Sequence, residues 1–164
     1  MRSLVIIIEK LASGSGFISG LFVPVMMILI VVEVFMRYVL HSPPMIADEF
    51  SAYMLVALSY LGFAYTWRQG GHVRIEILVN RLAPRTSQKI RLLGLILVLI
   101  FMVEMDRVAY KMVVYALKMN LRSSTWLMFP LFWPQLTVFL GFVFLTLLIA
   151  VDLAKTINNF WGKR

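Results

Sequence analysis

Twenty-two consecutive residues, Leu11 to Val32, carry no charge. Coiled as a helix they reach about 33 Å, enough to cross the roughly 30 Å of hydrocarbon in a bilayer. Phe50 to Trp67 is a second uncharged run, and the pattern returns at Leu92–Val103 and again from Trp133 to Val151. Of the 164 residues, 61% are hydrophobic and 15% charged, against about 45–50% and about 25% in a soluble domain. A core this small cannot hide that excess, so lipid must solvate much of it. At about 20 residues per span, four spans and their connections use up the chain and leave no separate soluble domain. The expected fold is all-α, an integral membrane bundle of four transmembrane helices over about 14–38, 47–68, 89–118 and 132–152, in one membrane domain, 1–164.

The boundaries follow from local chemistry. Leu4–Ile8 is too short for a signal-peptide core and is followed by Glu9 and Lys10, so the N-terminal stretch is expected to be retained. Pro24 should kink the first span, and His41-Ser42-Pro43-Pro44 should stop it and turn the chain. Asp48 and Glu49 suit the positive end of the second helix. Ile75, Leu78, Val79 and Leu82 recur at helical spacing opposite Arg74, Arg81 and Arg85, which fits an interfacial amphipathic segment over about 72–83. Alternation at Val73, Ile75 and Ile77 would also suit a short extended piece. The third span is long, roughly 40 Å between Arg91 and Lys118, and should tilt or stand out of the bilayer.

Orientation comes from Lys and Arg. With both termini cytoplasmic, that side holds eleven of them and the other side and outer spans hold five, Arg37, Arg107, Lys111, Lys118 and Arg122. The net charge of +8 is then explained by this bias and by contact with anionic phospholipid rather than by nucleic acid.

Charges at membrane depth are functional suspects because lipid excludes them. Glu33 and Arg37 stand four apart on one helix face. From the helical rise, Glu33, Arg37, Asp48, Glu49, Glu104, Asp106, Arg107 and Lys111 are expected in one mixed layer in the outer third of the bilayer. Such a layer could be a satisfied salt-bridge network, a partner surface or an ion path; the greasy inner halves of the spans argue against the path. His41 and His72 fall on opposite sides and cannot share a haem or metal. No nucleophile–base set, phosphate loop or cysteine is present, so neither an enzyme nor a cofactor is expected. Trp126, Phe129 and Trp133 mark an aromatic outer loop, an interface anchor or a docking site for a periplasmic partner.

Arg37-Tyr38, then Ile46-Ala47-Asp48-Glu49, Gly62-Phe63-Ala64-Tyr65 and the stretch Arg68 to Glu76 resemble the small membrane subunit, the DctQ-like family, of tripartite ATP-independent periplasmic (TRAP) transporters. Two positions depart from the family pattern: Ile46 stands where a tryptophan is expected, and Asp48 replaces a glutamate. The resemblance implies a scaffold in the bacterial inner membrane that supports a large membrane transport subunit, in a sodium-coupled symport system served by a periplasmic substrate-binding protein. It further implies that Arg37, Asp48 and Glu49 brace the outer end while His72 and Arg74 set the inner interface. Two other readings stand beside it: a self-sufficient homo-oligomeric channel or proton-coupled carrier, and a redox anchor.

Overall fold

Helix is the only way for a long apolar backbone to satisfy its own N–H and C=O groups without water, and helices dominate here. The structure, a computed structural model, describes residues 2–42, 44–69 and 84–161. The interfacial segment expected over 72–83 lies outside them. Four helices are described: α1 Arg2–Tyr38, α2 Ala47–Arg68, α3 Pro84–Lys118 and α4 Phe132–Trp161. No strand is present among the described residues. Two of the helices, α1 over Ile6–Tyr38 and α4 over Phe132–Asn158, are long and apolar enough to cross a membrane by length and composition.

The elements outlast the apolar runs that mark them. α1 has 37 residues and contains Pro24, whose missing N–H frees the carbonyl one turn earlier at Gly20. α3 has 35 residues, about 53 Å of helix. Charged residues near the ends of both helices stop the hydrophobic run but do not break the backbone pattern.

The helices pack in a row, α1–α2–α4–α3, with a smaller contact between α1 and α4. Among the described residues, α3 has its one extensive helix contact with α4. Residue pairs fix the directions. Gly16 meets Tyr65 and Gly62 meets Ser19, so α1 and α2 run antiparallel. Gly141 meets Tyr60 and Trp67 meets Asp152, so α2 and α4 run parallel. Asp106 meets Thr146 and Tyr110 meets Phe139, so α3 runs antiparallel to α4.

Small residues make the α1–α2–α4 seams. Ala12, Ser15 and Ser19 of α1, Ala57 and Ala64 of α2, and Gly141 of α4 are buried there, and such residues let helix backbones approach closely where lipid gives no hydrophobic drive. Larger side chains fill the α3–α4 seam, where Leu95, Met102, Leu145 and Ile149 cluster against Phe63 and Trp67. Outside the seams the edge helices are bare. On α1, Phe17 is 71% exposed and Ile28 64%; on α3, Ile100 is 59%. Apolar surface this extensive is a lipid or protein contact, not a water contact.

Candidate functional site

The polar residues of the seams gather at the two ends of the row. One end carries the α1–α2 turn and the loop between α3 and α4; we refer to it as the hairpin end.

At the hairpin end, a helix start needs acceptors for its first N–H groups, and α2 has none locally: Ile46, at its cap position, offers no side-chain bond. Glu33 supplies one from the neighbouring helix. Its Oε2 accepts the backbone N–H of Ile46 at 2.9 Å and of Ala47 at 2.6 Å, and its Oε1 accepts Arg37 Nη2 at 2.7 Å. Glu33 is 4% exposed, while the Arg37 side chain is nearly half exposed. The turn that delivers these amides includes His41 and Met45 at φ 52°, a left-handed conformation that side chains larger than glycine resist. The carboxylate therefore closes a turn that the local chain alone disfavours.

Glu49, one position past Asp48, points the other way, into the α3–α4 loop. It is buried and accepts the Tyr53 hydroxyl at 2.6 Å and the hydroxyl of Thr125. The loop is a hairpin-like clasp: Ser123 N–H donates to Phe129 O at 2.9 Å and Leu131 N–H to Leu121 O at 3.0 Å. Phe129 then lies against both Phe50 and Tyr53, ring centroids 5.2 Å away in each case. Among the described residues Glu49 makes no ion pair; hydroxyls satisfy it. Asp48 is exposed, also without an ion pair among those residues. The clasp presents Trp126, 65% exposed, and Met128, with Trp133 exposed beside it.

Glu49's bonds give a direct expectation. Thr125→Val should leave α2 intact but loosen the clasp, speeding hydrogen exchange at the Ser123 and Leu131 amides by about tenfold. Unchanged protection there would mean that the Phe129 contacts alone hold the loop.

The opposite end is tied in the same manner. Trp67 Nε1–H donates to Asp152 Oδ2 at 3.0 Å, Lys155 pairs with Glu9 at 3.0 Å, and Arg68 donates to the Ser13 hydroxyl. His72 and Arg74, expected at this end, lie outside the described residues.

The single layer of charge expected from the sequence is not what the helices form. Glu33, Arg37 and Glu49 share the hairpin end, but Glu104, Asp106 and Arg107 lie about 17–21 Å from the Lys118 end of α3. A common level would require Arg91 to mark the inner membrane boundary of α3. Pairing Asp106 with Thr146 at 2.8 Å instead sets Arg91 roughly 13 Å beyond the level of Asp152. Glu104 and Arg107 pair with each other at 2.6 Å, with side chains 56% and 66% exposed. Asp106 Oδ1 is buried and has no hydrogen-bond partner among the described residues.

Sequence reasoning missed four participants. The two amides that Glu33 holds are 13 and 14 residues away and have no side-chain signature. The Thr125 hydroxyl and Thr146 hydroxyl are equally silent. The small-residue seam did leave a signal, Ala12-x-x-x-Gly16 interleaved with Ser15-x-x-x-Ser19.

Glu33 and Glu49 are thus spent on a helix start and a loop, and no group of three or more His, Cys, Asp or Glu among the described residues could hold a metal ion. A groove of about 480 Å³ runs between α1, α2 and α4, lined by Ile7, Leu11, Ile18, Leu61, Leu140 and Phe144 with Lys10 and Ser15 as its polar members. Among the described residues the arrangement fastens helices to one another and gathers no catalytic set.

Residues 26–159 match the family profile described as tripartite ATP-independent periplasmic transporters, DctQ component. The chain is also similar to a TRAP transporter small permease protein of Haemophilus influenzae, 36% identical over 59 residues, which is 36% of this chain and 37% of that relative. The aligned stretch therefore spans little more than a third of the relative's length.

Proposed function

Because this chain belongs to the DctQ-component family of tripartite ATP-independent periplasmic transporters, we propose that it is the fixed scaffold of such a transporter, holding a large transport subunit in the membrane. The observation that carries the proposal is the fate of the buried acids. Glu33 caps a helix and Glu49 holds a loop, roles that brace a structure and do not relay an ion. As a component of a TRAP transporter, the chain belongs to a transport system and not to an enzyme.

On this reading all four helices cross the bacterial inner membrane with both termini in the cytoplasm, as the Lys and Arg bias favours. The hairpin end then faces the periplasm. α3, at about 53 Å, exceeds the hydrocarbon thickness and tilts or projects on the cytoplasmic side. The clasp sets Trp126 and Trp133 at the outer surface, where they help receive a periplasmic substrate-binding protein. The bare apolar faces of α1 take phospholipid. Uptake is sodium-coupled, with the coupling ion bound by the large subunit.

Reconstitution tests the proposal. Liposomes holding this chain alone should show no gradient-driven solute uptake, and adding the large subunit and binding protein should produce it. Uptake by the chain alone would replace the scaffold with a self-sufficient carrier.

A further inference from the structure

The face of α3 turned away from α4 carries charge where an edge helix in lipid should carry none. Leu95, Met102, Ala109, Val113 and Ala116 are the buried positions of α3, spaced by seven, seven, four and three, and they define the α4 side. At 3.6 residues per turn, Glu104 and Lys111 fall on the opposite side, with Arg107 close to them. All three are exposed. Glu104 and Arg107 pair, whereas Lys111 has no ion pair among the described residues. Ile100 and Tyr115, 59% and 56% exposed, flank the strip on the same side.

Depth makes the strip informative. Measured from Lys118, Lys111 lies about 10 Å and Glu104 about 21 Å along the helix. If α3 spans the bilayer, as the proposed function requires, the strip falls inside hydrocarbon, where ionisable groups are costly. Snorkelling offers little relief. Helical side chains lean toward the helix N-terminus, so Lys111 leans away from the nearer, hairpin-end surface, and Glu104 is short. The outward face of α1 makes the contrast: it is uncharged from Leu11 to Val32 and suits acyl chains.

We propose that this face of α3 is the seat of the large membrane subunit, which presents a carboxylate opposite Lys111 and hydrogen-bonding groups opposite the Glu104–Arg107 pair. The inference rests on the scaffold reading and adds where the partner sits and what chemistry it brings. Charge selects the occupant. One acid against two bases leaves the strip positive, so its complement is acidic. A second copy of this chain fits poorly, since a two-fold axis along the membrane normal would set Glu104 beside Glu104 and Lys111 beside Lys111 at equal depth.

The absence of cysteine permits a direct test with nitroxide labels at Ile100→Cys, Tyr115→Cys and, as the α1 control, Ile28→Cys. In bilayers containing this chain alone, oxygen should collide with all three labels. Co-reconstitution with the large subunit should lower collisions severalfold at the two α3 sites and leave Ile28→Cys unchanged. A fall confined to Ile28→Cys, or no fall at any site in a complex that forms, overturns the seat while sparing the scaffold reading. A fall at α3 on raising the density of this chain alone makes the occupant a second copy and also overturns it. Failure of the large subunit to associate at all overturns the scaffold reading instead. As a second arm, Lys111→Leu should stay monodisperse by itself yet retain at least about fivefold less large subunit on co-purification. Undiminished retention means that Lys111 meets lipid, and the proposal falls.

Discussion

Glu33→Ala should all but eliminate folded protein, with membrane abundance down by at least about tenfold and the remainder eluting as aggregate in size-exclusion chromatography. The expectation follows from what one carboxylate holds. Its loss strands two N–H groups at the start of α2, at a site only 4% exposed where water has little room to replace the acceptor, and leaves the half-exposed Arg37 guanidinium unpaired. It also releases the turn containing Met45 at φ 52°, whose strain persists only while neighbouring contacts impose it. Glu33→Gln keeps an acceptor but not the charge and should fall between the two. Arg37→Ala should be milder than either, since that side chain is 46% exposed and both amides keep their partner. If Arg37→Ala proved as damaging as Glu33→Ala, the ion pair and not the cap would be the essential element.

Gly141→Ala should be nearly as harmful, from steric overlap rather than electrostatics. A Cβ at Gly141 would collide with the backbone carbonyl of Tyr60, whereas a Cβ at Gly16 would meet the Cβ and ring of Tyr65 but no backbone atom. A ring can turn partly aside even though its Cβ cannot; a helix backbone moves only with its helix. Prising α2 from α4 disturbs the joint on which the row depends, at about 3 kcal/mol, the upper end of overpacking costs, or a fall of roughly 6–12 °C in Tm. Gly16→Ala, which presses on a side chain and not on a carbonyl, should lose less than Gly141→Ala. Gly94→Ala, with open space around it, should match or slightly exceed the parent through helix propensity. Thermal unfolding of the three variants in one detergent checks the order. A Gly141→Ala protein as stable as Gly94→Ala would show that the backbones do not touch.

The positions of the helices were legible because hydrophobicity and helix termination are local properties. α2 begins at Ala47 and ends at Arg68, the stretch bounded by the Asp48-Glu49 pair and the basic connection. The start of α1 and the end of α4 were not, because Glu9, Lys10 and Lys155 interrupt the apolar run without interrupting the helix. The Glu33–Arg37 pair was readable from its spacing. The partners of Glu33 and Glu49 were not, since backbone amides and distant hydroxyls look the same in every sequence. The supposed common layer of charge failed for a related reason: rise per residue gives distance along one helix, and only a cross-helix contact such as Asp106 with Thr146 sets one helix against the next. The family pattern covering residues 26–159 reported the transporter class, while the outward strip on α3 needed knowledge of which side α4 covers.

Four helices standing in file, rather than wrapped about a common axis, have a mechanical consequence. Such a panel resists shear where its ends are stitched, by Glu33 and Glu49 at one margin and by Asp152 and Lys155 at the other, but α3, whose one extensive helix contact among the described residues is with α4, can swing about a line parallel to the staves. The panel can therefore curve to follow a neighbour's flank or the local shape of the lipid sheet while the height of each stave stays put.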